Sequence, residues 1–294
     1  MSEKLPFYGG QALIEGVLMR GSHVAVATMK GLDGKIYIHQ ESLGAIYQSS
    51  IKTVPFLRGI IALWDAMVLG TRFLTISANH QTEKPEEQIT GGSLYLTLAI
   101  SIGMAVLLFF IAPATLSQLI ENFLGINAVL GNLIEGLIRL VILIAYLELI
   151  QKIPDVNRIF KYHGAEHKTI NAFEAGSDLN PQAVSQYSLV HPRCGTSFIL
   201  TVVVFSIIVF SLLGPLPIFW RIVSRLVFII PIASIAYEYI RWSAKHLSNP
   251  FVSFIIKPNL WLQRLTTSEP TLDMIEIAIS SLREVIKSET LITP

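Results

Sequence analysis

The stretch from Ser93 to about Leu119 contains no charged residue. It is longer than the roughly 20 apolar residues that a helix needs to cross the hydrocarbon of a bilayer. In lipid every backbone N–H and C=O must be satisfied within the chain, which leaves helices and closed barrels as the structures that span. Three more apolar runs follow. Asn127–Ile150 carries Glu135, Arg139 and Glu148; Phe198–Trp220 holds Gly214-Pro215-Leu216-Pro217, a tight exit; Arg221–Tyr239 has Pro231 inside and Glu238 near its end. Any one of these runs fits a buried helix of a soluble core, but four in one chain predict a mainly α, polytopic membrane bundle of about four transmembrane helices. Composition agrees: 52% of residues are apolar and 15% charged, against about 25% charged in soluble domains. The net charge of +1, with no basic stripe interleaved with aromatics, predicts no nucleic-acid partner. The expected partner is the lipid bilayer itself, and an oligomer stays open.

Lys and Arg in the flanks set the orientation. The region through residue 92 holds eight of them, the 151–197 segment five and the tail from Arg241 six, whereas the Ser117–Asn127 connection has none. Both termini and the 151–197 loop are therefore expected in the cytoplasm. Met1–Gly10 has no apolar run and predicts no cleavable signal peptide. The single cysteine excludes an internal disulfide framework and fits a reducing compartment. The chain divides into an N-terminal cytoplasmic or interfacial region (1–90), two spans (91–150), the loop (151–197), two more spans (198–245) and a cytoplasmic helical tail (246–294).

In the first region, Gly9–Gly21 is glycine-punctuated and places Glu15 and Arg20 among apolar residues. Such a stretch can fold over a site, since glycine lets backbone approach closely. Val24–Lys30 and Lys35–His39 read as strands joined by Gly31-Leu32-Asp33-Gly34, a small β-hairpin. Residues 54–80 repeat apolar side chains at helical spacing, but Arg58, Asp65 and Arg72 interrupt them. That pattern predicts an interfacial or bundle-packed amphipathic helix rather than a span. Gln81–Gln88 is a polar linker. Near the C-terminus, Pro250–Trp261 fits the membrane interface. Ser268-Glu269-Pro270 then opens a helix with Leu272, Ile275, Ile279, Leu282 and Ile286 on one face.

Chemistry concentrates in Tyr162-His163-Gly164-Ala165-Glu166-His167 and His191-Pro192-Arg193-Cys194-Gly195, which hold three of the seven histidines and the cysteine. On a helix, His163 and His167 share a face at i and i+4, and Glu166 lies nearly on it. This is H-x-x-E-H, the reversed zinc-protease pattern. Two imidazoles suit zinc or another divalent first-row ion, and a neighbouring carboxylate can take a proton from the water that such an ion polarises. His191 and Cys194 complete a candidate ligand set of four; Glu166 is the candidate general base. Glu174, seven past His167, returns to the same face as a further ligand or as a group orienting an imidazole. Arg193, Glu15, Arg20, Glu238 and His246 are candidates to line the site or bind substrate. Each also has a plain alternative: Cys194 as a small buried hydrophobe, His191 as a capping or surface group, and Glu238 and His246 as interface markers. Glu135 and Arg139, also i and i+4, are expected to pair within the second span, since a bare intramembrane ion is costly.

The Gly9–Gly21, Tyr162–Thr169 and His191–Phe198 stretches resemble a family of bacterial membrane proteins typified by YqhQ, classed as of unknown function and labelled a predicted metal-dependent enzyme. The resemblance covers nearly the whole chain. It implies a bacterial inner-membrane setting and a metal site, but no reaction. Proven inverzincins are soluble α/β domains with a distant glutamate ligand, and nothing here matches that fold. Three functions stand at this point. The first is a membrane-embedded zinc-dependent hydrolase acting at the cytoplasmic face on a peptide or lipid-linked substrate. The second is a scaffold or regulator stapled by a structural metal, and the third a transporter with Glu135, Arg139, Glu148 and Glu238 along a path.

Overall fold

The computed structural model describes residues 8–44 and 54–292. Residues 1–7, most of the segment expected to lack a signal peptide, lie outside it. The protein is mainly helical, with one small antiparallel sheet near the N-terminus.

The sheet is a four-stranded meander, β1 (Gly9–Leu13), β2 (Gly16–Arg20), β3 (Val24–Lys30) and β4 (Ile36–Ser42), in sequential order. The predicted hairpin is its second half. The glycine-punctuated stretch, for which no strand is expected from the sequence, forms the first half: β1 pairs with β2 from Gly9↔Arg20 to Leu13↔Gly16. This leaves Ile14-Glu15 as a two-residue turn, with Glu15 at φ 53°.

Successive residues of a strand face opposite ways, and β3 uses both faces. Val24 and Val26 join a core with Ile275, Ile279 and Leu282 of α11 (Leu272–Ile292). Ala25, Ala27 and Met29 join a second core with Phe73 of α1 (Leu57–Asn79). The sheet is thus sandwiched between the last helix and the first. The apolar stripe predicted for α11 is what meets it, although Leu272 itself is exposed.

The remaining helices are α2 (Gly91–Val106), α3 (Ala112–Leu124), α4 (Ala128–Ile150), α5 (Pro154–Glu174), α6 (Pro181–Ser185), α7 (Gly195–Ser211), α8 (Ile218–Lys245), α9 (Pro250–Ile255) and α10 (Lys257–Gln263). A π-turn at Leu107–Ile111 joins α2 to α3 just before Pro113, so one continuous rod runs from Gly91 to Leu124. Such turns mark the places where a helical ladder absorbs a disruption.

By length and composition three helices can cross a membrane: Leu57–Asn79, Gly91–Leu124 and Ile218–Lys245. Two of the four expected runs are among them, and the third is α1, expected at the interface or packed in the bundle. The charges that argued against α1 are all paired: Arg58 with Glu238, Asp65 with Arg20, and Arg72 with Glu41 at 3.2 Å. Its start packs on α8 and its end on the sheet. The run at Phe198–Trp220 breaks after Ser211, leaving α7 an apolar helix of 17 residues. α4 has the length, but it buries Asn132, Glu135 and Arg139 inside the bundle.

Candidate metal centre

Pro154 at the first position and Asp155 in the first turn suit the N-terminus of α5. From Tyr162 to Ile170 that helix is almost wholly buried, apart from the half-buried His163. A methyl group on Gly164 would sit 2.3 Å from the Ser268 carbonyl oxygen. Only glycine lets the 264–270 segment lie this close to α5, and that approach delivers a carbonyl to His163.

The side chains of His163, His167 and Cys194 place one ligand atom each within 4.8 Å of one another. His163 Nε2 lies 3.2 Å from Cys194 Sγ, and the two imidazole centroids are 4.4 Å apart. The outer nitrogens are committed elsewhere: His163 Nδ1 is 2.9 Å from the Thr266 carbonyl oxygen, and His167 Nδ1 is 2.5 Å from that of Leu189. A carbonyl oxygen can only accept, so both Nδ1 atoms carry the proton and donate. Each Nε2 is then the nitrogen with the lone pair, and that of His163 faces the Cys194 sulfur. This is the arrangement by which metal-binding histidines are oriented. Cys194 is the N-cap of α7, and the Thr196 amide donates to its sulfur at 3.4 Å. The partial positive charge of that helix end therefore faces the sulfur.

Glu166 is buried beside this trio, with Oε2 3.6 Å from His167 Nε2, beyond hydrogen-bond length. Strand β1 covers it. A methyl group on Gly10 would stand 2.6 Å from Glu166 Cγ and 2.7 Å from the Leu18 carbonyl oxygen. The glycine stretch thus folds over the site as anticipated, but as a strand.

The other candidate residues fall elsewhere. The His191 backbone is pinned by Gln263, whose amide receives His191 N and reaches His191 O, both at 2.9 Å. Its imidazole faces Glu174 at 3.4 Å, and its centroid stands 6.0 Å from that of His167. Glu174 also pairs with Arg193. Burial pushes the Glu174 carboxyl up, yet the His191 hydrogen bond and the Arg193 charge outweigh it and hold it below the usual carboxylate range. Glu15 takes both Arg158 nitrogens at 2.5 Å and the Tyr162 hydroxyl at 3.2 Å. The hydrogen bond from Arg158 keeps its carboxyl low, and burial followed by the Glu15 charge raises the Tyr162 phenol. Glu15 thereby clamps the β1–β2 turn to α5. Arg20 pairs with Asp65, and Glu238 with Arg58. His246 lies against Trp242 with the ring planes tilted by 31° and bonds to its carbonyl at 2.8 Å. Glu148 is exposed, so the four residues of the supposed transport path are not brought together.

Gln263, Thr266 and Leu189 are not singled out by any pattern in the sequence. Their contribution is largely main-chain carbonyls or a loop clamp, which side-chain patterns do not advertise.

The family described as "Protein of unknown function (DUF1385)" matches residues 54–288. This chain belongs to DUF1385. The "Uncharacterized protein YqhQ" of Bacillus subtilis (strain 168) is 33% identical over 305 residues, covering 97% of this chain and 94% of that protein. No solved structure matches. The DUF1385 match takes in α1 to most of α11 and so includes all three residues of the cluster; Gly10, which covers Glu166, falls before it.

Proposed function

We propose that this chain is a membrane-embedded, metal-dependent hydrolase. It works at the cytoplasmic face of a bacterial inner membrane on a peptide or lipid-linked group. One observation carries this reading: two histidine Nε2 lone pairs and one thiol sulfur converge, with His191 turned away and a buried carboxylate alongside. Three protein ligands leave a fourth position open, the mark that separates catalytic from structural zinc sites. His163, His167 and Cys194 would hold a divalent ion, zinc by the softness of the donor set, and the ion would supply Lewis acidity at neutral pH. Glu166 would act as general base, accepting the proton of the attacking water and passing it to the leaving group. The protonated Nδ1 atoms keep the ligand tautomers fixed throughout.

The charge asymmetry of the flanks supports a cytoplasmic setting for both termini and for the 151–197 segment, which carries His163, His167 and Cys194. The deep burial of His167 and Glu166 favours a second reading, a structural metal that staples α5, α7 and the 264–268 segment. Glu166→Gln separates the two. Under the enzyme reading it abolishes complementation of a strain lacking the gene while metal content and thermal stability stay at wild-type values. Full complementation by this variant would remove general-base catalysis at Glu166.

A further inference from the structure

At the opposite end of α7 from Cys194, three arginines and two glutamates meet in the bundle. Glu135 receives Arg139 Nη2 at 2.7 Å, Arg221 Nε at 3.0 Å, and Arg225 Nε and Nη2 at 2.9 and 2.8 Å. Glu121 receives Arg221 Nη2 at 2.6 Å. Asn132 Oδ1 takes Nη2 of both Arg221 and Arg225. Every arginine of the group is buried. Counting charges, three positive against two negative leave one uncompensated positive charge in a region where bare ions are costly.

A cavity of about 180 Å³ opens beside this group, walled by Arg221, Arg225, the Glu121 carboxylate, Gln118, Asn132, Ala128 and the Gly214–Pro217 turn. A guanidinium has five N–H donors. On Arg221 and Arg225 alike, Nη1 serves one acceptor (Gln118 at 3.1 Å and Ser224 at 3.1 Å), which leaves each with one N–H lacking an acceptor among the described residues. Two spare donors, one unbalanced positive charge and a space of several water volumes together describe an anion site. Arginine pairs favour the oxygens of phosphate or carboxylate. The cavity lies at the end of α7 away from Cys194, and a phosphate, free or on a lipid headgroup, offers the oxygens that an arginine pair takes.

We propose that this cavity binds a phosphate group, in contact with Arg221 and Arg225. It does not rest on the reading of the His/Cys centre. The test uses the full chain in a nonionic maltoside detergent, titrated with inorganic phosphate or with phosphatidylglycerol and followed by native mass spectrometry, with diacylglycerol, which lacks the phosphate, as the control. One equivalent of phosphate or phosphatidylglycerol should bind in preference to the control; which of them binds identifies the source as free or lipid-borne. Arg221→Gln, which brings the charge count from one to zero, should weaken binding about tenfold or more, the scale of a lost hydrogen bond to a charged group. Glu121→Gln raises the count to two and should tighten binding, and Ala128→Trp should block it without altering charge. The opposite signs of the two charge variants keep the test decisive even where Arg221→Gln unfolds, since a purely structural network would be weakened by both. No preference over diacylglycerol, or Glu121→Gln binding more weakly than wild type, overturns the proposal.

Discussion

Removing the His167 imidazole tests the metal centre most directly. Zinc binds imidazole nitrogen at about 2.0–2.1 Å and thiolate sulfur at about 2.3 Å, in a tetrahedron. Those lengths place neighbouring ligand atoms about 3.5 Å apart. His163 Nε2 and Cys194 Sγ, at 3.2 Å, already match, and the widest separation within the trio, at most 4.8 Å, asks for about 1 Å of closure. His167 is nevertheless held at Nδ1 by the Leu189 carbonyl, so its lone pair is aimed before any ion arrives. Losing a group that only orients a ligand lowers metal affinity about 10–100-fold. Losing a ligand itself should lower it further, so His167→Ala should fall by more than 100-fold. The assay is zinc content of purified protein by elemental mass spectrometry, followed by competition against a chromogenic chelator, with Cys194→Ala in parallel. Wild type should hold one zinc per chain and both variants almost none after chelator treatment. Equal zinc affinity in wild type and His167→Ala, with both folded, would refute the assignment of that imidazole as a ligand.

Gly10→Val should destabilise the fold by about 1–3 kcal/mol, the usual cost of overpacking, because its side chain would strike Glu166 and the Leu18 carbonyl; a lowered thermal midpoint checks it. Leu282→Ala, at a fully buried position between α11 and the sheet, should cost about 2–5 kcal/mol in denaturant unfolding. Glu15 has a carboxyl pKa lowered by Arg158, so its contribution is present above the unfolded-state value and lost as pH falls through the folded one. Glu15→Gln should therefore lower stability at neutral pH and flatten the loss on acidification below about pH 4.3. Because Arg158 is half exposed, the effect should stay under about 1 kcal/mol; thermal midpoints of both proteins from pH 3 to 7 measure it.

Periodicity carried the helices well. The uncharged run beginning at Ser93, the stripe of α11 and the face shared by His163 and His167 are local properties, set by composition and a 3.6-residue repeat, and each appears where the spacing put it. Pairing between distant residues was not legible in the same way. Arg58, Asp65 and Arg72 argued against a span when considered alone, yet each has a partner on another element. The glycines of Gly9–Gly21 mask the strands β1 and β2 in the sequence, because strand pairing depends on what lies alongside.

The sequence by itself determined a mainly helical, membrane-type chain with imidazoles on one helical face and a thiol further along. Tertiary structure alone decided which of the four proposed ligands meet. Cys194 reaches His163 because α7 starts beside α5, whereas His191, three residues earlier, is held by Gln263 and turned to Glu174. The reason is physical: a ligand set is fixed by distances of a few ångströms between segments far apart in the chain, and those distances follow from packing, main-chain carbonyls and the room left by a missing side chain, none of which is written in the spacing of residues.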